Sequence, residues 1–286
     1  MSRAKLAYAI WPWGLEKDQM IQGMQDIKEV GFNYFESVSP AVDMFRDTPA
    51  EFKAIQERYQ VRPVSFYFGS RGEYAKDVAK VEASLGFLAA NKITCINVAA
   101  AWKDGGGATM PELKAELGRL QKIGKLCKPY GICPCLHPHI NTRVMFESDL
   151  DFIMQNSDPS ELFFGPDTAH MALGRCDPVE ICDRYKTRIR LVHLKDVVKR
   201  KAGDGASDKH GGFKMICDEG NDKQGIEVFS DFLELGEGTV NFPAIFKILE
   251  SVGYDSYLIV ELDSSRFGNK ESAAMSMKYL KTHGYN

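Results

Sequence analysis

Two of the six histidines in the chain, His137 and His139, stand two residues apart around a proline in CLHPHIN (135–141). Imidazole titrates near pH 6.5, so it can take or give a proton near neutrality, and its neutral form binds metal ions. Further groups of this kind follow in order: Asp167 and His170 in DTAH, then His193, Lys195 and Asp196 in VHLKD, then Glu261 and Asp263 in VELD. Glu36 lies earlier, in YFESV. Each residue alone has an ordinary structural reading: Asp167 can cap a turn, and a carboxylate such as Glu261 needs a partner only if it is buried. Together they form an Asp, His and Glu donor set without thiolate. That set suits one divalent ion of the Mn, Co, Mg or Zn group, an ion able to polarise a carbonyl oxygen.

What would bring these residues together is the rhythm of the elements that carry them. Short apolar runs alternate with longer amphipathic ones. Strands are predicted over 5–11, 34–38, 62–69, 94–101, 131–137, 162–170, 189–197 and 257–263, with helices over 17–31, 48–60, 74–91, 111–130, 147–155, 177–185, 241–253 and 270–282. The strands are nearly continuous apolar runs, as expected of a parallel sheet covered on both faces. Helix signals agree: Thr48 precedes a proline, Asp177 precedes another, and Asn241 and Gly253 bracket a helix. Eight strand–helix units in 286 residues predict a single (β/α)8 barrel over 1–286. The open doubly wound sheet is disfavoured because the first strand–helix turn, IWPWGLEKD, lacks GxGxxG. The stretch 199–236, rich in Gly, Asp and Lys, reads as a long irregular loop after strand seven, placed to act as a lid. In such a barrel the active site lies at the carboxyl ends of the strands, where every residue named above falls.

Composition narrows the partners. The net charge of -3 and pI of about 6.1 offer no footprint for nucleic acid. No run approaches a membrane span, and the first residues lack the pattern of a secretory signal. Seven cysteines, odd in number and without CxxC, read as buried apolar thiols in a reducing cytoplasm.

Four motifs, HPHINTRVMFE (137–147), DTAH (167–170), VHLKD (192–196) and the segment 235–263, resemble those of the xylose isomerase-like barrels. These include sugar isomerases and epimerases, inosose dehydratases and endonuclease IV. The resemblance implies a divalent ion held by Glu, Asp, His and Glu, with Asp167, His193 and Glu261 in three of those places. Isomerases and epimerases of the group end the fifth strand in glutamate, where this chain has His137. The layout is more similar to the inosose dehydratase branch, which makes Glu147 the expected fourth ligand and leaves a ligand role for His137 open. Glu36 and Lys195 match positions that usually contact substrate, and Trp11, His170 and Arg266 are further candidate substrate contacts.

The resemblance implies a small carbohydrate substrate. Barrels of this kind often associate, so a homo-oligomer is compatible with it. With histidine in place of the fifth-strand glutamate, His137 and His139, with Lys195, are expected to move protons. Removal of the proton beside a ketone, followed by loss of a hydroxyl or alkoxide, would make the protein a dehydratase or lyase on a keto sugar or cyclic polyol ketone. The alternative is an isomerase or epimerase. An endonuclease IV-like DNA repair enzyme is the remote reading, because no histidine precedes His137.

Overall fold

The computed structural model describes residues 4–201, 213–219, 222–265 and 267–285. β1 (Lys5–Ala9) is followed by a short turn of 3-10 helix at Trp11–Trp13, where Pro12 ends the strand reading early, and by α1 (Lys17–Val30). Gly31 stops α1 in the left-handed region, at φ 116°. Then come β2 (Tyr34–Val38), α2 (Ser39–Phe45), α3 (Pro49–Tyr59), β3 (Arg62–Ser70), α4 (Tyr74–Ala90) and β4 (Cys95–Ala101). The second half holds α5 (Met110–Cys127), β5 (Cys133–His137), α6 (Glu147–Asn156), β6 (Phe163–Phe164), α7 (Thr168–Leu173), α8 (Pro178–Tyr185) and β7 (Leu191–Leu194). α9 (Phe242–Ser251), β11 (Tyr257–Val260) and α10 (Asn269–Thr282) complete the barrel layer.

The order β6-β5-β4-β3-β2-β1-β11-β7 makes one parallel eight-stranded sheet. Parallel bridges from Phe164 to Ile189 and from Asp167 to His193 join its two ends. The result is a (β/α)8 barrel. Its strands carry few polar residues because both faces are covered: β4 is buried at every position. Phe35, Phe66, Val98, Leu136 and Val192 belong to the large cluster that packs against the helices. Ala7, Ala9, Val64, Cys95, Cys135, Leu191 and Ile259 form a separate apolar cluster. Burial of each larger apolar side chain contributes roughly 1.5–3 kcal/mol.

Two departures from the sequence reading matter for the site. The stretch read as an irregular loop carries three antiparallel strands, β8 (Asp196–Lys201), β9 (Phe213–Glu219) and β10 (Asp222–Leu233), in the order β8-β10-β9. Its Gly, Asp and Lys content masked alternating segments such as IEVFSDFL, whose β-branched and aromatic residues favour strands. Positions 202–212 and 220–221 of that expectation lie outside the described residues. The sixth strand is only two residues long, because Gly165 and Pro166 interrupt it and Asp167 starts α7.

Candidate active site

The strands and the turns that follow them deliver their polar side chains to one buried cluster. Glu36, Asn97, Asp167, His193 and Lys195 are fully buried, and His137, His170 and Glu261 nearly so. Backbone hydrogen bonds set their heights: His193 N–H donates to Pro166 O at 2.9 Å, and Glu261 N–H to Leu194 O at 3.0 Å. The Thr168 hydroxyl accepts from Lys195 N–H at 3.0 Å and donates to Lys195 O at 2.6 Å, pinning the start of α7 to the end of β7.

Asp167 divides its two oxygens between two tasks. Oδ1 accepts the His170 N–H at 2.7 Å and so caps α7. Oδ2 is buried without a hydrogen bond and lies 3.8 Å from His193 Nδ1. His193 is sandwiched between carboxylates. Its Nδ1 is in contact with Glu261 Oε2, and its Nε2 lies 2.6 Å from Glu36 Oε2. Asn97 Nδ2 donates to Glu36 Oε1 at 2.9 Å and lies 2.7 Å from His193 Nε2. Burial alone would lower the basicity of His193, but Glu36 and Glu261 overcome it and hold the pKa well above the usual histidine value.

Lys195 donates to Glu261 Oε1 at 2.7 Å and to Asp263 Oδ2 at 2.8 Å. Its Nζ also lies 3.3 Å from His170 Nε2 and 4.1 Å from the centre of the Phe232 ring. Burial opposes its charge, yet Asp263, Glu261 and Asp167 hold it firmly as an ammonium. Burial also opposes the charge of Glu261, which Lys195 and His193 hold well below the usual carboxylate range. Asp167 is pushed up to about 7, by burial and then by the charge of Glu261.

The other three imidazoles are kept neutral. Burial is the main cause for His137, with the charge of His193 adding to it; for His139, burial leads again; for His170, the charges of His139 and Lys195 add to burial. His139 is half-buried, and its Nδ1–H donates to Ile140 O at 2.6 Å. That bond leaves the lone pair on Nε2. Its ring packs 3.7 Å, centre to centre, from that of His170. His137 is central, with ring centres 4.8 Å from His193 and 6.0 Å from His170.

The donor set fits a cation. His137 Nδ1, Asp167 Oδ2, His193 Nδ1 and Glu261 Oε2 are all buried without a hydrogen bond, though His193 and Glu261 meet as an ion pair. An unmatched buried polar atom costs about 1–3 kcal/mol, so four in one place mark a site shaped for something more than protein. Atoms of His137, Asp167 and His193 lie within 4.8 Å of one another, as do those of Asp167, His170 and Glu261.

Position bears on two further expected residues. Glu147 does not join the cluster: it begins α6 and its carboxylate, 42% exposed, lies 2.7 Å from Arg184 Nη1. The helix starts with that side chain turned to Arg184 of α8. Glu36 is expected from the sequence to touch substrate, but it is fully buried behind His193 and engaged there on both oxygens. Trp11 does reach the site, its ring 6.3 Å from that of His193. Arg266 lies outside the described residues. Sequence reasoning misses Asn97 and Phe232, and it names Asp263 without giving it a role. Asn97 had a signal, as the one amide in the apolar strand CINVAAA, and Asp263 follows Glu261 by two and so shares its side of the chain. Phe232 had none, because its contacts depend on the antiparallel strands.

Comparison with known proteins agrees with this architecture. A family model described as xylose isomerase-like TIM barrel matches residues 24–283. An inosose dehydratase of Clostridium perfringens (strain 13 / Type A) is 30% identical over 164 residues, which are 57% of this chain and 52% of that protein. The chain therefore spans about half the length of the curated relatives it matches. Among solved structures, the probable 3-DHS dehydratase AsbF of Bacillus anthracis superposes with a TM-score of 0.72 at 17% identity, covering 97% of this chain and 98% of that one. The 3-keto-D-glucoside 4-epimerase YcjR of E. coli gives 0.69 at 17% identity, covering 98% and 99%. A Mycobacterium smegmatis xylose isomerase-like TIM barrel protein in complex with magnesium gives 0.74 at 15% identity, covering 99% and 97%. At these identities the structural likeness speaks for the fold.

Proposed function

The chain belongs to the xylose isomerase-like TIM barrel family, and from that premise we propose that it is a divalent-metal-dependent lyase or dehydratase acting on a keto sugar or cyclic polyol ketone. His137, Asp167, His193 and Glu261 would hold the ion. A divalent ion there supplies Lewis acidity toward the substrate carbonyl, which makes the neighbouring C–H bond more acidic.

The observation that carries the proposal is the hydrogen bond from His139 Nδ1–H to Ile140 O at 2.6 Å. It fixes the tautomer of a neutral, half-buried imidazole, so that Nε2 can accept the proton from the carbon beside the carbonyl. His170 is complementary. With Lys195 donating to its Nε2, the His170 proton sits on Nδ1, which is buried without an acceptor. That N–H can donate to the departing hydroxyl or alkoxide oxygen. Lys195, paired with two carboxylates, orients Glu261 and contributes positive charge rather than acting as a base. Phe232 and the base of the three-stranded sheet, closing over His170 and Lys195, would exclude water while the carbanion exists.

The isomerase or epimerase reading shares the proton removal and differs in the fate of the carbanion. Epimerisation needs acid–base groups on opposite faces of the substrate. The rings of His139 and His170 lie only 3.7 Å apart, centre to centre, and that closeness supports one pair of groups handling the proton and the neighbouring oxygen. The test is to incubate the protein and Mn2+ with an inosose, or with a 3-keto-glucoside, and to follow enone absorbance. An enone product is expected. Recovered sugar carrying deuterium from solvent, with no enone formed, would overturn the lyase reading in favour of the isomerase.

A further inference from the structure

We infer that Glu36, clamped by Asn97, is a positioning residue that dictates which nitrogen of His193 faces the donor cluster. The inference rests on the metal-site reading proposed above and adds to it a set of residues that need not touch either ion or substrate.

The geometry is one-sided. Glu36 Oε2 lies 2.6 Å from His193 Nε2, whereas Asp167 Oδ2 and Glu261 Oε2 both lie toward Nδ1. With Nδ1 given to an ion in the cluster of Asp167 and Glu261, the one proton of the neutral ring has to lie on Nε2, beside Glu36 Oε2. Asn97 Nδ2, 2.7 Å from Nε2, then turns its hydrogens to Glu36 Oε1 instead. A carboxylate behind a ligating imidazole fixes the tautomer, holds the ring plane and raises ligand basicity. Glu36 is itself held still. It is fully buried in the middle of β2, and Asn97 Nδ2, from β4 two strands away, donates to its other oxygen at 2.9 Å. β2, β4 and β7 thus cooperate across the barrel interior to set one ring.

Glu36→Leu removes the acceptor, and Glu36→Gln keeps an acceptor of the same shape but removes the charge. Zinc affinity of the full-length protein is measured by competition with a chromophoric chelator, alongside melting of the metal-free protein. A loss of 10- to 100-fold in zinc affinity is expected for Glu36→Leu, and a smaller loss for Glu36→Gln. In 15N-labelled, zinc-loaded wild type, a His193 Nε2–H proton resonance shifted by its carboxylate partner is expected, and Glu36→Leu should lose that shift. A wild-type zinc affinity retained in Glu36→Leu, with only the metal-free melting temperature lowered, would make Glu36 merely structural and overturn the inference. If wild type binds neither zinc nor manganese, the metal-site reading itself fails and takes the inference with it, a result distinct from the first. Should Glu36→Leu not fold, Glu36→Gln and Asn97→Ala carry the same comparison: weakened zinc affinity supports the positioning role, and unchanged affinity in both overturns it.

Discussion

At the scale of single residues, the site separates histidines by their partners. His139 has a neutral ring and a free nitrogen, so His139→Ala is expected to lower kcat by about 10²- to 10⁴-fold. Metal content should be retained, because His139 is outside the donor groups; steady-state kinetics with metal analysis checks both. Lys195 is a different case. Its ammonium, fully buried, neutralises Glu261 and Asp263, so Lys195→Met should destabilise the metal-free protein by about 3–5 kcal/mol, measured by denaturant unfolding. Much of this was legible in the residue types, since Asp167, His193 and Glu261 stand at consecutive strand ends. What was not legible is direction. Nothing in HPHINTRVMFE tells whether Glu147 turns inward or outward, and it is the ion pair to Arg184, a helix away in sequence, that decides it.

At the scale of elements, caps and clasps hold the loops that frame the site. Thr109 and Glu112 form a reciprocal capping box at the start of α5, and Glu112 also pairs with Lys103 at 2.8 Å. The hydrogen bond from Lys103, then that from the Thr109 backbone, lowers the Glu112 pKa from 4.5 to about 2. A depressed carboxylate stabilises the fold fully above its unfolded value and loses that contribution as pH falls through the folded one. The stability difference between wild type and Glu112→Gln should therefore be about 1 kcal/mol near neutrality. It should disappear between about pH 4.5 and pH 2, followed by thermal melts across that range. A second clasp lies under the three-stranded sheet. Asp196 accepts four backbone N–H groups, from Val197, Gly236, Gly238 and Val240, at 2.9 to 3.0 Å. A Cβ on Gly238 would stand 2.2 Å from Asp196 Oδ1. Gly238→Ala is thus expected to cost about 1–3 kcal/mol, read as a lower midpoint in urea. The sequence reading found α8 and α9 by their caps, but the strands β8–β10 escaped it because pairing partners far apart in the chain define them.

At the scale of the molecule, the eightfold alternation was legible in the chain because a closed parallel sheet imposes one pattern everywhere. The junction of its ends was not, since β6 contributes only two residues. Removing metal with a chelator should lower the melting temperature. An ion present at 100 times its Kd stabilises by about 2.7 kcal/mol, worth roughly 5 °C in a chain of this size.

The loss should also have an address. The bridge between Asp167 and His193 that joins β6 to β7 is made by the same two residues whose side chains carry the donor atoms. The first and last edges of the barrel are therefore sewn together at the proposed metal site. An ion held between those side chains would act as a rivet through that seam. Amide exchange of Arg190 and His193, whose N–H groups donate across it to Phe164 O and Pro166 O, should slow on metal loading more than exchange in β2 or β3. Opening of the barrel and emptying of the site would then be one motion, and a protein stored without its ion would come apart first along that line.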